Sequence, residues 1–458
     1  MRRPEVAIDQ FDRAYFIGVG GIGMSALARY FNALGWTVAG YDKTRTKLTD
    51  QLADEGIDIH YEDWGPAIPT QFQQRDKTLF IYTPAIPRNF GELLHVQHNN
   101  FHLHKRAEVL GMITRNSKAL GVAGTHGKTT TSTMLAHILQ TTDLKCNAFL
   151  GGISSNFNSN FVSNPTSEFT VIEADEFDRS FLQLSPFASI ITSTDADHLD
   201  IYGDNKEFLD GFNQYAQLIA QDGFLVRHSD VAIDIKNTLT YAIDKEADFK
   251  GFNLCFQDGY FQFNLQFEDS IWENVQLGIP GIHNAENAIA CIAMCINLGL
   301  NESEIRHGLR TFKGVKRRFE YHIKTENLVY VDDYAHHPTE ISALIRSIKL
   351  LYPTKAITGI FQPHLFTRTR DFFEEFANQL SALDRVILLP IYPAREEPIS
   401  GITSEALLEQ IQCSNKEVMT PDEVLEQLSD TNNGVVLTIG AGDIDRIVEP
   451  LKKLLTRE

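Results

Sequence analysis

Apolar positions along this chain repeat with two periods, and the alternation between them predicts the fold. "AYFIGVG" (14–20) is a short unbroken apolar run, as in a buried strand, and "IGMSALARYFNALG" (22–35) carries an apolar stripe at helical spacing. "TVAGYD" (37–42) and "TLFIYTPAI" (78–86) are further strands, the second ending in a proline-containing loop. "HKRAEVLGMITRNSKAL" (104–120) leads into a second unit. That unit contains the strand "ALGVAG" (119–124), the helix "KTTTSTMLAHILQ" (128–140), and the strands "FTVIEADE" (169–176) and "ASIITSTD" (188–195). From about Gly223 the period becomes two. "YFQFNLQF" (260–267) puts Phe261, Phe263, Leu265 and Phe267 on one face after the turn signal "QDG", which predicts a small antiparallel insert. Helical spacing returns at "HNAENAIACIAMCI" (283–296). After "FKGVKRRFEYH" the strands "NLVYVDDYA", "AITGIFQP", "RVILLPIY" and "GVVLTIGAG" alternate with helices. The expected class is α/β in three units, residues 1–115, 116–316 and 317–458.

Composition narrows what such a molecule can bind. The 458 residues carry a formal net charge of −19. This argues against a nucleic-acid or membrane-surface binder, because polyphosphate backbones and anionic lipids need basic patches. The five cysteines, Cys146, Cys255, Cys291, Cys295 and Cys413, are scattered and odd in number, which suggests neither a disulfide framework nor a zinc site. Cys291 and Cys295 are expected to be core thiols on an apolar helix. The first residues, "MRRPEVAIDQFDRAYF", lack the apolar segment of a signal peptide, and no apolar run approaches the ~18 residues of a membrane span. A cytoplasmic protein, monomeric or weakly dimeric, is expected.

Two glycine-rich loops then ask for anions. "GVGGIG" matches G-x-G-x-x-G at Gly18, Gly20 and Gly23 between a strand and a helix, and Asp42 closes the next strand, where a ribose-binding acid would sit. Such a loop seats a diphosphate at a helix N-terminus and does not specify nicotinamide. "GTHGKTT" (Gly124, Thr125, His126, Gly127, Lys128, Thr129, Thr130) is sharper: a lysine and a hydroxyl follow a glycine where a strand turns into a helix, as in nucleotide-binding loops. It departs from strict Walker A spacing, with Val122 where that pattern has glycine. The loop is expected to face solvent.

Acidic groups at strand ends complete the pattern. "VIEADEFDRSF" supplies Glu173, Asp175, Glu176 and Asp178, and "TSTDADHLDIYG" supplies His198 among Asp195, Asp197 and Asp200. Carboxylates there can hold Mg²⁺ beside β- and γ-phosphates; a solvated acidic loop is the bland alternative. Asn284 and Asn287, one helical turn apart, could face a planar base, although helix capping by Asn284 explains the first equally well. Lys316, Arg317 and Arg318 lie between two units, and His336, His337, His364, Arg368 and Arg370 lie at strand ends of the third.

Taken together, "GTHGKTT", "EADEFDRS", "DHLD", "HNAENA", "RRFE", "DDYAHHPTE", "FQPH…TRTRD" and "GAGD" occur in the order of the Mur ligase family, the ATP-dependent amino-acid ligases of peptidoglycan synthesis, which the chain resembles over essentially its whole length. The resemblance implies three domains: a Rossmann-like domain for the UDP of the substrate, a central P-loop ATPase-like domain with a small antiparallel insert, and a C-terminal Rossmann-like domain for the amino acid. It implies ATP with Mg²⁺ or Mn²⁺ as cofactors, and UDP-N-acetylmuramate and L-alanine as substrates. Lys128 would steady the γ-phosphate, Thr129 and Glu173 would hold one metal ion and His198 would serve a second. Asn284 and Asn287 would face adenine, Arg318 would reach the phosphates, and Tyr334, His336, His364 and Arg368 would shape the amino-acid pocket.

Three departures from the family pattern stand out. No lysine occupies the "FNQYAQL" stretch, where several members carry a carbamoylated one. Leu365 replaces the arginine common after "QPH", and "TPAI" (83–86) stands where Ser-Ser-Ala-Ile is commoner. The rival readings are a ligase that attaches a whole tripeptide, an NAD-dependent oxidoreductase, which would explain only "GVGGIG", and a non-catalytic sugar-nucleotide sensor.

Overall fold

The computed structural model describes residues 8–195, 205–394, 396–429 and 431–456. Its strands build three sheets. The first contains β1 (Arg13–Ile17), β2 (Thr37–Tyr41), β3 (Asp58–His60), β4 (Thr78–Tyr82) and β5 (His102–Lys105), in the order β3-β2-β1-β4-β5. All its pairings are parallel. Ile17 of β1 lies opposite Tyr82 of β4, so the chain leaves both strands at one level, and Gly18 and Thr83 emerge side by side. Alternation along β1 divides the core: Phe16 packs near Phe31 on one face, and Tyr15 meets Phe72 and Phe80 on the other.

The central sheet comprises β6 (Lys118–Ala123), β7 (Asn147–Ser154), β8 (Ser159–Val162), β9 (Phe169–Glu173), β10 (Pro186–Ile191), β11 (Leu225–His228), β12 (Thr238–Ile243), β13 (Phe249–Gln257), β14 (Tyr260–Phe267) and β15 (Ser270–Leu277). Their order is β15-β14-β13-β12-β11-β10-β6-β9-β7-β8. The segment expected as a small antiparallel insert forms the far edge of this sheet. Its first hairpin turns at Asp258 and Gly259, both with positive φ (53° and 83°), as a two-residue hairpin turn requires. At the other edge, β7 and β8 escape the sequence pattern because "NAFLGGIS" is broken by two glycines.

The third sheet has the order β16-β17-β21-β18-β19-β20, with β16 (Glu320–Lys324), β17 (Leu328–Asp333), β18 (Ile357–Phe361), β19 (Arg385–Leu388), β20 (Lys416–Val418) and β21 (Gly434–Ile439). Its pairings are parallel except that β16 runs antiparallel to β17. The interior strand β17 is buried throughout; its apolar start, Leu328 to Val331, reflects cover on both faces, and it ends in two buried acids, Asp332 and Asp333.

The chain divides into two compact units. One is Met1–Phe252 with Asn264–Val275 and Glu286–Phe312; the other is Asn253–Phe263 with Gln276–Ala285 and Lys313–Glu458. In the first unit, the helix Ile22–Ala33 is shared between two sheets. Its Tyr30 packs against Phe149 of β7 and Phe161 of β8. Asn160 of β8, fully buried, donates to the Ile22 carbonyl and to Ser25 Oγ (2.9 Å), and accepts from Arg29. Arg29 also pairs with Glu55 at 2.7 Å, so its buried charge is compensated. Among the described residues, no helix is long and apolar enough to cross a membrane.

Candidate active site

The first glycine loop is shaped by what presses on it. Gly18 has φ +97°, and a Cβ there would lie 2.5 Å from Thr83 Cγ2. Gly20 N donates to Asp42 Oδ2 at 2.7 Å, and Thr44 N donates to the other oxygen at 3.1 Å. Asp42 therefore braces the loop from the end of β2. Gly23 sits in the first turn of the helix Ile22–Ala33, against the side chain of Arg106.

In the second loop, Gly124 (φ +129°) and Gly127 (φ +80°) take conformations that disfavour any side chain, and Gly127 opens the helix Lys128–Gln140. Ser193, just after β10, holds the loop's shape. Its carbonyl accepts from Thr125 N (3.2 Å), and its hydroxyl accepts from His126 N (3.0 Å) and lies 2.8 Å from Thr125 Oγ1. The His126 ring lies 3.8 Å from Asp195. Thr130 is buried, and Asn287 approaches the loop so closely that a Cβ on Gly127 would lie 2.8 Å from its Oδ1.

The loop lysine does not face solvent as expected. Lys128 Nζ donates to the Gly124 carbonyl (2.7 Å) and to Glu176 Oε1 (2.9 Å), with Glu176 Oε2 2.8 Å away in the same ion pair, and the Glu176 side chain is only 1% exposed. Burial works to lower the lysine's pKa, but the carboxylates of Glu176, Asp175 and Glu173 outweigh it, and the net direction is upward. The ammonium is held charged inside the protein. Beside it Thr129 Oγ1 donates to Glu173 Oε2 at 2.9 Å. Glu173 lies across Gly151 of β7, where a Cβ would come within 2.0 Å of its Oε2. The acidic loop beyond is strained: Asp178 and Arg179 both adopt left-handed backbone (φ 52° and 54°).

A cleft of about 270 Å³ connects these parts. Gly21–Gly23 and Thr83 line it along with Arg106, Gly151, Glu173 and Asp175, over a floor that includes Met24, Leu27 and Phe149. The arrangement can seat an anionic, partly apolar molecule that reaches from the first loop to the carboxylate held by the second.

The second unit gathers another cluster where its parallel strands end. Tyr334 follows β17, and the guanidinium of Arg318 lies 4.9 Å from its ring centre. Arg318 also lies 3.7 Å from Glu340, which accepts from His336 N at 2.9 Å. The rings of His336 and His364 are 6.2 Å apart, and His364 stacks on Tyr392. Burial lowers His336 to about 4, helped by the charges of Arg368 and Arg318 and opposed by Glu340; burial and Arg368 lower His364 to about 4 as well. Both imidazoles are neutral at pH 7. Asp333 accepts from Phe319 N and Ala335 N and is pushed up to about 6 by burial. Arg317, which has left-handed backbone (φ 62°), bridges Asp332 and the Gly440 carbonyl. Gln362 joins "QPH" to "GAGD" through Asp443 (2.8 Å) and Ile444 N (2.8 Å). Leu365 has φ 72° at the start of the helix Phe366–Asp371. Asn284 is buried and donates to the Pro280 carbonyl, which is local use of the helix start.

The structure thus brings Lys128, Thr129 and Glu173 together, and separately Arg318, Tyr334, His336, His364 and Arg368. His198, with Asp197 and Asp200, lies outside the described residues. Sequence reasoning missed Arg106, Gly151 and Ser193. It named Glu176 only as one of four acids, without its lysine. Arg106 opens a helix directly after β5, a strand-end position that was a usable signal.

Three family models match in order: "Mur ligase family, catalytic domain" over 13–118, "Mur ligase middle domain" over 122–295, and "Mur ligase, glutamate ligase domain" over 317–442. A UDP-N-acetylmuramate–L-alanine ligase of Cytophaga hutchinsonii is 46% identical over 447 residues, covering 96% of each chain. One from Porphyromonas gingivalis is 47% identical over 450 residues, 97% of this chain and 99% of that one. Among solved structures, the UDP-N-acetylmuramate-alanine ligase of Thermotoga maritima superimposes with a TM-score of 0.81 at 26% identity, covering 97% and 98% of the two chains. A murein peptide ligase of Psychrobacter arcticus shares the fold, with a TM-score of 0.68 at 21% identity, covering 97% of this chain and 99% of that one.

Proposed function

The chain belongs to the Mur ligase family, and from that premise we propose how its residues perform the ligation. It is an ATP-dependent ligase that joins L-alanine to UDP-N-acetylmuramate in peptidoglycan synthesis. The observation that carries the mechanism is the cleft that runs from the Gly21–Gly23 loop to Glu173, whose carboxylate is already engaged by Thr129 of the ATP loop. An acid substrate lying in it has its diphosphate at one helix N-terminus and its lactyl carboxylate near the other.

A carboxylate oxygen of the substrate attacks the γ-phosphorus of ATP, ADP leaves, and an acyl phosphate forms. L-alanine gives up its ammonium proton to solvent, its free amine attacks the acyl carbon, inorganic phosphate departs, and the nitrogen loses a second proton to solvent as the amide forms. Such steps need charge neutralisation and alignment more than covalent help from the protein. Lys128 neutralises the γ-phosphate; its buried pairing with Glu176 keeps it both charged and placed. The hydroxyl of Thr129 and the carboxylate of Glu173 are hard oxygen donors, which suit Mg²⁺. Bound there, Mg²⁺ would supply positive charge to the phosphates. Asn287, against Gly127, is positioned to meet the nucleotide. Asp42, which braces the loop through Gly20 N, would also face the ribose.

In the second unit, Arg368 would bind the α-carboxylate of alanine, and Arg318, over the Tyr334 ring and beside Glu340, would add positive charge to the same cluster. Tyr334, His336 and His364 form walls, and neutral imidazoles do not repel the incoming ammonium. Phosphate release assayed with UDP-N-acetylmuramate, ATP and a panel of amino acids tests this. L-alanine should be preferred over glycine and L-serine, since loss of one methyl contact costs ~1–3 kcal/mol. Turnover with a tripeptide and none with L-alanine would overturn it.

A further inference from the structure

The third glycine of "GVGGIG" has no conformational reason to be glycine. Gly18 has positive φ, but Gly23 does not. What Gly23 provides is room: a Cβ there would lie 2.7 Å from Arg106 Nη1, 3.0 Å from its Cδ and 3.2 Å from its Cζ. The motif thus leaves room for an arginine side chain against the first turn of the helix proposed to meet the diphosphate. Arg106 is half-buried, reaches there from the end of β5, and is the basic residue among those lining the cleft. Its ion pair with Asp175 is 3.7 Å long, longer than a hydrogen bond, so it keeps donors for a ligand.

Charge balance calls for such a group. A diphosphate brings about two negative charges, whereas a helix N-terminus offers only about half a positive one. The cleft wall adds Glu173 and Asp175, in a protein of net charge −19. We propose that Arg106 binds the diphosphate of the sugar nucleotide, exchanging its long contact with Asp175 for short charge-assisted hydrogen bonds and screening the diphosphate from that carboxylate. The proposal rests on the ligase reading above. It makes Gly23 a specificity position by way of Arg106.

Calorimetry on the full chain tests it, with UDP-N-acetylmuramate and UDP-N-acetylglucosamine as probes and ADP as control. Arg106→Met keeps the apolar stem and should weaken both sugar nucleotides about 10- to 100-fold, the usual worth of a charge-assisted hydrogen bond, with ADP affinity unchanged. Arg106→Lys should recover part of the loss, and Gly23→Ala should reproduce it by displacing the guanidinium. Asp175→Asn should leave sugar-nucleotide affinity equal or tighter. Unchanged affinity in Arg106→Met would overturn the proposal. So would a loss confined to UDP-N-acetylmuramate, which moves the contact to the carboxylate, or an equal loss in Asp175→Asn, which reduces Arg106 to a structural ion pair. Alanine-dependent phosphate release by the unaltered chain is measured alongside, so failure of the ligase reading shows there and not in the variants.

Discussion

Lys128 and Glu176 show how the charge proposed to act on the γ-phosphate would constrain both stability and rate. Removing the lysine alone leaves a buried carboxylate uncompensated, which typically costs about 3–5 kcal/mol. Lys128→Ala should therefore lower the melting temperature as well as slow turnover by about 10²–10³-fold or more, the scale of a lost electrostatic contact to a transition state. Adding Glu176→Gln should restore much of the stability and none of the turnover. Thermal melts and phosphate release on the two variants check this; recovery of both together would remove Lys128 from the chemistry. A second residue-scale prediction concerns Glu92, fully buried beside Tyr15, His60 and Trp64 N and pushed up to about 7 by burial. A raised carboxylate pKa costs stability only where the folded group must ionise. The cost is absent below its ordinary value near 4.5 and complete above about 7. The span corresponds to a few kcal/mol, on the order of 3. Glu92→Gln should melt higher than the unaltered chain at pH 8, with the advantage gone by pH 4; equal melting at both pH values would place the carboxyl's pKa near normal.

At the scale of elements, both phosphate loops are strand-to-helix turns whose glycines have separable duties. Gly127 needs its left-handed backbone and the space that Asn287 leaves. Gly127→Ala should cost about 1–2 kcal/mol in backbone strain and weaken ADP binding while sparing the sugar nucleotide. Calorimetry with each ligand separates the two, and loss of both would mean that the helix Lys128–Gln140 had come away from β6. The existence of these elements was legible because period and punctuation agree: an apolar run, then glycine, then a helical stripe. The edge strands were less legible. "EYHIK" of β16 is charged and half-exposed, and pairing with β17, not its own pattern, makes it a strand.

At the scale of the molecule, the helix Ile22–Ala33 and Asn160 join the first sheet and strands β6 to β12 of the central sheet in one compact unit. UDP-N-acetylmuramate should therefore stabilise the unit that also contains the Lys128 loop. At one hundred times its dissociation constant it should add about 2.7 kcal/mol, read as a raised melting temperature, while NADH adds none. Stabilisation by NADH would return the first loop to a dehydrogenase.

The sequence by itself determined the α/β class, the two glycine-rich loops and the order of the family's motifs. Each of these is written in contiguous residues whose backbone demands, a left-handed glycine or a buried apolar run, are local. Only the tertiary structure decided that Lys128 is buried on Glu176, that Gly151 admits Glu173, and that Gly23 admits Arg106. These partners stand 48, 22 and 83 positions apart in the chain. No local pattern connects them, because burial and Coulomb interaction depend on distance in space, which sheet order and register set.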